Sequence, residues 1–190
     1  RYFRSSRGGR LRMGLQLIFV VEANKKSKTD WIYIKETIDR FYKYDEAHLK
    51  LSAVYMEGKN KYLSKEKEVN LLISQYSSTS ANNVTKVIYC FDCDDYDSNP
   101  VDKEFLEKTQ EFCKANNYEY VWFCKDIERV YLGKKVEDGQ KNSEATRFKA
   151  NKLIDGVSQS RLNGKSISHN MSNILSVLDE CKPHLVRKEK

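Results

Sequence analysis

The stretch that decides the fold is Val84 to Asp97, with the sequence VTKVIYCFDCDDYD. Its first half is rich in β-branched and aromatic residues, which predicts a strand buried on both faces in the middle of a parallel sheet. Its second half contains the carboxylates Asp92, Asp94, Asp95 and Asp97. Acidic groups this close repel one another unless a cation offsets them, and a hard divalent metal suits that role.

Strands and helices are predicted to alternate on either side of this segment. Short runs of β-formers indicate strands, whereas apolar residues spaced three and four apart indicate helices. The predicted strands are Leu15–Val21, His48–Met56, the strand from Val84, and Tyr118–Cys124. Helices are predicted to begin at Ser27 or Thr29, at Ser64, at Asn99-Pro100, and at Asp126, the last one ending at Gly133.

Two further helices are predicted near the C-terminus, over Ser143–Ile154 and Ser168–Cys181. Loops are predicted for Gly133 to Asn142 and Gly156 to Lys165, which are polar and contain glycine. The alternating order implies a small, mainly parallel α/β sheet of about four strands flanked by helices, with C-terminal helices. In such sheets, ligands bind beyond the carboxyl ends of the strands.

Length and charge predict one α/β domain over residues 14–182, between a basic N-terminal arm (1–13) and a basic tail (183–190). A chain of 190 residues suits a single domain. The arm and the tail account for the whole net charge of +7, so the domain between them is close to neutral. The arm is either a phosphate-binding segment or an artificial or unstructured end. The basic charge alone therefore does not indicate nucleic-acid binding.

Several classes of protein are disfavoured by the pattern of apolar residues and cysteines. No apolar stretch approaches the roughly 18 residues of a membrane helix, and the arginine-rich start does not resemble a signal peptide. The 5 cysteines are irregularly spaced, which argues against a disulfide framework and for a cytoplasmic protein. Cys90 and Cys93 lie three apart on a predicted strand, facing opposite sides, so we expect core cysteines rather than a zinc site.

Acidic residues follow three of the predicted strands, at one edge of the sheet. Glu22 follows the first strand, Asp92 and Asp94 the third, and Asp126 and Glu128 the fourth. If the first and third strands are neighbours, Glu22, Asp92 and Asp94 form an acidic cup for one or two Mg²⁺ or Mn²⁺ ions. Such ions activate water and stabilise the leaving oxygen in phosphodiester hydrolysis.

Each of these residues also has a purely structural interpretation. Glu22 could be a solvated loop residue, and the aspartates could serve a turn and the cap of the next helix. Asp95 and Asp97 are expected to have that second role. Asp126 could only cap its helix, and Glu128 could only favour the helix dipole. Cations that could neutralise a substrate phosphate, or form a solvated face, are Lys125, Lys149 and Lys152.

Three segments of the chain resemble a known family. They are FVVEANKKSKTDWIYI (19–34), VIYCFDCDDYD (87–97) and FCKDIERVYL (123–132). Together they are similar to the Toprim fold of topoisomerases, primases and related nucleases. The similarity is greatest to small Toprim-like proteins of the RloB type, found with bacterial anti-phage and restriction loci, and to the nuclease half of the OLD family.

The resemblance implies a Rossmann-like sheet and a nuclease that uses Mg²⁺ or Mn²⁺. It implies metal ligation by Glu22, Asp92 and Asp94, with Glu128 at the acidic position after the fourth strand. Two features depart from the family pattern: Ala23 replaces the usual glycine, and Lys125-Asp126 replaces the usual Ser/Asn-Pro.

Three functional hypotheses follow from these observations. The first is a metal-dependent phosphodiester hydrolase that cuts DNA or RNA in bacterial defence. The second is a catalytically silent binding or regulatory module of a larger defence complex, with an ATPase as partner, which the substituted loops favour. The third is a haloacid-dehalogenase-like phosphatase with Asp92 as nucleophile, although that site normally follows the first strand. Self-association stays open, and no membrane partner is expected.

Overall fold

The computed structural model describes residues 13–189, so nearly all of the predicted basic arm lies outside the described residues. The strands are β1 (Leu15–Val21), β2 (Tyr42–Lys43), β3 (Leu49–Tyr55), β4 (Val84–Asp92), β5 (Glu119–Cys124), β6 (Met171–Ser172) and β7 (Val186–Arg187). The α-helices are α1 (Thr29–Phe41), α2 (Glu66–Ser77), α3 (Pro100–Ala115), α4 (Ile127–Leu132), α5 (Lys141–Ala150) and α6 (Ile174–Asp179). Short 3-10 helices cover Lys59–Lys65, Asp138–Gln140 and Leu153–Gly156.

The main sheet has 5 strands in the order β3-β1-β4-β5-β6. The four strands from β3 to β5 are parallel, and β6 pairs antiparallel with β5. The predicted mainly parallel α/β sheet flanked by helices is therefore confirmed, with one more strand than expected. A second sheet joins β2 to β7, so residues of the segment predicted as a basic tail pack against the end of α1.

The central strands are buried on both faces, as their apolar sequences predict. Every residue of β1 is buried, and so is β4 from Val87 to Phe91. Leu17 and Phe19 face a core that contains α1, α4, α5 and α6. Ile18 and Val20 face a second core, beneath α2 and α3. Helices cover both faces of the sheet. A ligand can therefore reach the sheet at the ends of its strands.

The cysteines belong to these cores, as expected. All 5 are free and buried, including Cys90 and Cys93. Cys90 packs in the core beneath α1, whereas Cys93 packs in the core beneath α3, so the two thiols serve opposite faces of the sheet.

Helix boundaries or caps differ from the predictions in three places. The helix predicted over Ser143–Ile154 is α5, Lys141–Ala150, and a separate 3-10 helix covers Leu153–Gly156. The residue before α1 is Lys28 with φ 54°, and neither Ser27 nor Thr29 caps the helix with its side chain, because Asn24 closes a tight turn there. The 3-10 helix Lys59–Lys65 precedes α2, which therefore begins after Ser64. The helices that begin at Asn99-Pro100 and Asp126 are confirmed, each with the expected side-chain cap.

The largest correction concerns the predicted helix over Ser168–Cys181. Only the second half of that segment is helical, as α6, because Met171 and Ser172 form β6. The open edge of β5 needs hydrogen-bond partners, and an antiparallel strand supplies them. The side chain of Asn173 supports the same edge, since it accepts from the backbone N–H of Trp122 at 3.0 Å.

Tight packing beside β6 generates a testable expectation for Gly164. A Cβ added at Gly164 would lie 2.7 Å from the ring of the buried Trp122 and 3.3 Å from the carbonyl oxygen of Ser172. We expect Gly164→Ala to lower the free energy of unfolding by about 1–3 kcal/mol, because overpacking forces neighbours apart. Urea denaturation measures this, with Gly139→Ala as the matched control, since no atom lies within 4 Å of its added Cβ. Equal effects of the two substitutions would contradict the packing argument.

Candidate functional site

The ends of β1 and β4 form the centre of the candidate site. Because β3 and β4 lie on opposite sides of β1, the chain order of the strands reverses between β1 and β4. Ligands of open α/β sheets bind at such a switch point, beyond the carboxyl ends of the strands. Glu22 directly follows β1, and Asp92 is the last residue of β4. Because β1 and β4 are neighbouring strands, as the prediction requires, they bring these two carboxylates to the same edge.

A hydrogen bond connects Glu22 and Asp92 across the two strands. The backbone N–H of Asp92 donates to Oε1 of Glu22 at 2.9 Å. In turn, Oδ1 of Asp92 accepts from the backbone N–H of Ile127, at the start of α4, at 2.9 Å. Two carboxylates thus connect the end of β1, the end of β4 and the first turn of α4.

Both carboxyl groups hold their protons more tightly than free side chains do. Burial, with repulsion from Asp30 and Asp94, raises the pKa of Glu22 to about 8, although the bond from Asp92 and the charge of Lys59 act against the rise. Burial and the nearby charges of Glu22 and Asp30 raise the pKa of Asp92 well above its usual range. Ionisation of both groups would therefore concentrate negative charge here, which a bound cation would relieve.

Asp30, in the first turn of α1, belongs to the same group of carboxylates. Its Oδ2 accepts from the backbone N–H of Ala23 at 2.9 Å, and its Oδ1 accepts from the hydroxyl of Thr29 at 3.2 Å. Burial raises its pKa despite these bonds and despite the charge of Lys141. Asp30 thus folds the loop after β1 back onto the site.

Glu128, in the first turn of α4, is buried with only 1% of its surface exposed. Neither carboxylate oxygen has a hydrogen-bond partner among the described residues. The ammonium of Lys141, the first residue of α5, lies 3.8 Å from its Oε2. Burial raises the pKa of Glu128 to about 7, and Lys141 acts against that rise. Buried acceptors without donors are costly, so this carboxyl group is available for a ligand.

Asp94 takes a different position from the one that strand alternation predicts. The strand ends at Asp92, and Asp94 has φ 47°, so the two residues do not share a strand face. The carboxylate of Asp94 pairs with the ammonium of Lys59, which also pairs with Asp102 at 2.9 Å. Burial lowers the pKa of Lys59, but its hydrogen bonds with both aspartates outweigh burial and raise it overall.

The remaining aspartates of the cluster serve the loop, as expected. The carbonyl of Asp95 accepts from the backbone N–H groups of Ser98 and Asn99, at 2.9 and 2.7 Å. Its carboxylate pairs with Lys125 at 2.8 Å, and that of Asp97 pairs with His169 at 2.7 Å. Both side chains thus connect the loop before α3 to neighbouring segments.

The three lysines proposed for a substrate phosphate lie in different places. Lys125 follows β5 at the correct edge, but its ammonium is paired with Asp95 and Asp97. Lys149 lies eight residues after Lys141 along α5, which separates them by about 12 Å at 1.5 Å per residue. Lys152 lies beyond the end of the same helix. The structure therefore places Lys149 and Lys152 away from the carboxylates.

Sequence reasoning missed three members of the site: Asp30, Lys59 and Lys141. Asp30 and Lys59 both follow strands, at the edge where Glu22 and Asp92 were found, so the same rule could have included them. Lys141 follows a loop and a 3-10 helix, and no local signal indicates it. It reaches the site because α5 packs against α1.

The donors present fit a hard divalent cation. Among residues 13–189, no three His, Cys, Asp or Glu side chains already converge as ligands around one point. The oxygens of Glu22, Asp92 and Glu128 are nevertheless the hard donors that Mg²⁺ and Mn²⁺ prefer. The unpartnered oxygens of Glu128 and the raised pKa values of Glu22 and Asp92 point the same way. Cation binding would require these side chains to reorient.

The raised pKa of Glu22 predicts how stability depends on pH without added metal. The folded state holds this proton more tightly than the unfolded chain, so the free energy of unfolding falls as pH rises from about 4.5 to about 8. We expect Glu22→Gln to remove part of this fall and to stabilise the protein at pH 9 by on the order of 2 kcal/mol. Urea denaturation in a chelator at pH 5 and pH 9 measures the effect.

The matched control for this substitution is Glu46→Gln, which changes an exposed carboxylate and should retain the wild-type pH dependence. A stabilisation by Glu22→Gln of equal size at both pH values would contradict the assignment, because it would not arise from ionisation.

Comparisons with known proteins do not identify a relative of this chain. Models of protein families, curated proteins and solved structures all gave no significant match. The Toprim-like assignment and the ligand set that it implies therefore remain predictions. Their support is the arrangement of Glu22, Asp92 and Glu128 at one edge of the sheet.

Proposed function

We propose that the protein is a metal-dependent phosphodiester hydrolase, a Toprim-like nuclease of the RloB and OLD type that acts on nucleic acid in bacterial defence. The observation that carries the proposal is the hydrogen bond between Asp92 and Glu22 at the switch point, with both carboxyl groups at raised pKa. Acidic groups forced together at such a position are typical of a site whose cation is part of its chemistry.

The carboxylates of Glu22 and Asp92 would hold Mg²⁺ or Mn²⁺, with Asp94 and Glu128 completing the set. When bound, the cation supplies charge stabilisation to the phosphodiester and lowers the pKa of its bound water. The backbone N–H groups of Asp92 and Ile127 keep the first two carboxylates in place.

Lysines around the carboxylates suit a polyanionic substrate. Lys141 carries its charge between Glu128 and Asp92. Lys25, Lys26 and Lys28 are exposed on the loop between β1 and α1. A cavity of about 390 Å³ opens beside this loop, lined by Asn24, Lys26, Ser27, Glu57 and Asn142. This cavity could receive a nucleotide of the substrate beside the loop that follows β1.

The silent-module hypothesis is the second candidate, and one observation favours it. Lys59 neutralises Asp94, so one predicted ligand is paired with a cation of the chain itself. A binding module would keep that pair permanently, and its role would depend on a partner such as an ATPase. The two candidates differ in whether Asp92 is needed for chemistry.

The proposed hydrolase predicts metal-dependent cleavage of DNA or RNA. We expect wild-type protein to cut labelled single- and double-stranded substrates with Mn²⁺ or Mg²⁺, and to stop when a chelator is added. Asp92→Asn should lower the rate by roughly 100-fold or more, because several kcal/mol of charge stabilisation is lost. Asparagine can still accept from Ile127, so the fold should survive.

The matched control is Asp95→Asn, which changes an aspartate whose carboxylate pairs with Lys125 outside the proposed ligand set. It should retain cleavage within a few-fold of wild type. Cleavage that survives Asp92→Asn would point to a contaminating nuclease. Absence of both cleavage and metal binding would falsify the proposal and favour the silent module, which pull-down with an ATPase partner would then test.

A further inference from the structure

Lys59 lies at the edge of the site on the 3-10 helix that follows β3. Its ammonium contacts the carboxylate of Asp94, pairs with Oδ1 of Asp102 at 2.9 Å, and sits 5.0 Å from the ring centroid of Phe105. Its side chain is 23% exposed, and that of Asp102 is 16% exposed. The charges of Lys59 and Asp102 are therefore poorly screened by solvent, whereas the carboxylate of Asp94 is 41% exposed.

The backbone fixes Lys59 beside Glu22. The N–H of Met56 donates to the carbonyl of Val21 at 2.7 Å, and the N–H of Gly58 donates to the carbonyl of Glu22 at 3.2 Å. The residue before Lys59 is therefore bonded to the residue that provides the first carboxylate. Lys59 cannot move far from the site without breaking these bonds.

Asp102 is the second acidic partner of Lys59. It lies in the first turn of α3, and its Oδ2 accepts from the backbone N–H of Asp95 at 3.3 Å. Asp102 thus binds both the ammonium of Lys59 and the loop that contains Asp94. If Asp94 leaves Lys59, the ammonium keeps Asp102 as its partner and is not left as an isolated charge, which would be costly.

We infer that Lys59 is an internal counter-ion that competes with the divalent cation for Asp94 and so sets the metal affinity of the site. This inference rests on the proposed function, because it concerns the cation of that same site. Without metal, the carboxylate of Asp94 is paired with Lys59. With metal, Asp94 turns to the cation and Lys59 remains with Asp102. Lys59 is thus a positioning residue, acting on the metal through Asp94.

Opposite effects of two substitutions follow from this arrangement. Lys59→Gln frees Asp94 and removes a positive charge next to the carboxylates, so metal binding should tighten. Asp102→Asn removes the alternative partner of Lys59, so the ammonium depends more on Asp94 and metal binding should weaken. A merely structural role of the Lys59 bridge predicts weaker binding in both variants, because both disturb the same contact.

The test is titration of the metal-free protein with Mn²⁺, monitored by the electron paramagnetic resonance signal of free Mn²⁺. We expect Lys59→Gln to lower the dissociation constant about tenfold at low salt, which corresponds to about 1.4 kcal/mol, because a positive charge beside the cation is removed. Asp102→Asn should raise it several-fold. The difference between Lys59→Gln and wild type should shrink as salt is added.

Two control variants test whether the loss of a nearby charge is enough to change the dissociation constant. Lys61→Gln removes an exposed lysine of the same 3-10 helix, and Asp95→Asn removes an exposed aspartate of the same loop as Asp94. Each should leave the dissociation constant within about twofold of wild type, because exposed charges are screened. Circular dichroism checks that every variant is folded. If Lys59→Gln does not fold, Lys59→Met replaces it, because methionine retains the aliphatic stem beside the ring of Phe105: tighter binding supports the inference, and unchanged or weaker binding overturns it.

Failure of the inference is distinguishable from failure of the proposed function. If wild type binds Mn²⁺ and Asp92→Asn abolishes binding, the metal site stands. In that case, unchanged or weaker binding by Lys59→Gln overturns the role of Lys59 alone. If wild type binds Mn²⁺ no better than Asp92→Asn does, both the metal site and the inference are overturned.

Discussion

The hydrogen bond from the backbone of Asp92 to the carboxylate of Glu22 joins the ends of β1 and β4, and the rest of the site depends on it. It can form because these strands are parallel neighbours in register, so their carboxyl ends lie at the same edge. Asp92 then extends the connection to Ile127 and the start of α4. One constraint of sheet topology thus brings together residues far apart in the chain.

This proximity concentrates negative charge, which the structure offsets in several ways. Glu22 and Asp92 accept backbone hydrogen bonds and hold their protons tightly, whereas Asp94 is paired with Lys59. Glu128 has a lysine nearby but no hydrogen bond within the described part of the chain. Glu22, Asp92 and Glu128 are thus less stable as anions than in water, and a divalent cation is the ligand that would stabilise these three together.

Aromatic packing on one face of the sheet positions the outer members of the site. Tyr33 of α1 stacks on Tyr131 of α4 at 5.1 Å between ring centroids, and Phe148 of α5 packs against both rings. This contact packs the three helices together, and each of them carries a charged residue in its first turn: Asp30, Glu128 and Lys141. Within residues 13–189, no helix is long and apolar enough to cross a bilayer.

The sequence by itself determined the four parallel strands, the starts of α3 and α4, and the edge at which Glu22 and Asp92 meet. These features are local, because apolar runs, caps and strand ends are encoded in a few neighbouring residues. It failed for the segment of β6, where helical spacing was overruled by the open edge of β5. Only the tertiary structure decided that Asp94 faces Lys59 and that Lys141 reaches Glu128. Such pairings depend on how helices and loops pack, and residues distant in sequence carry no local signal of that contact.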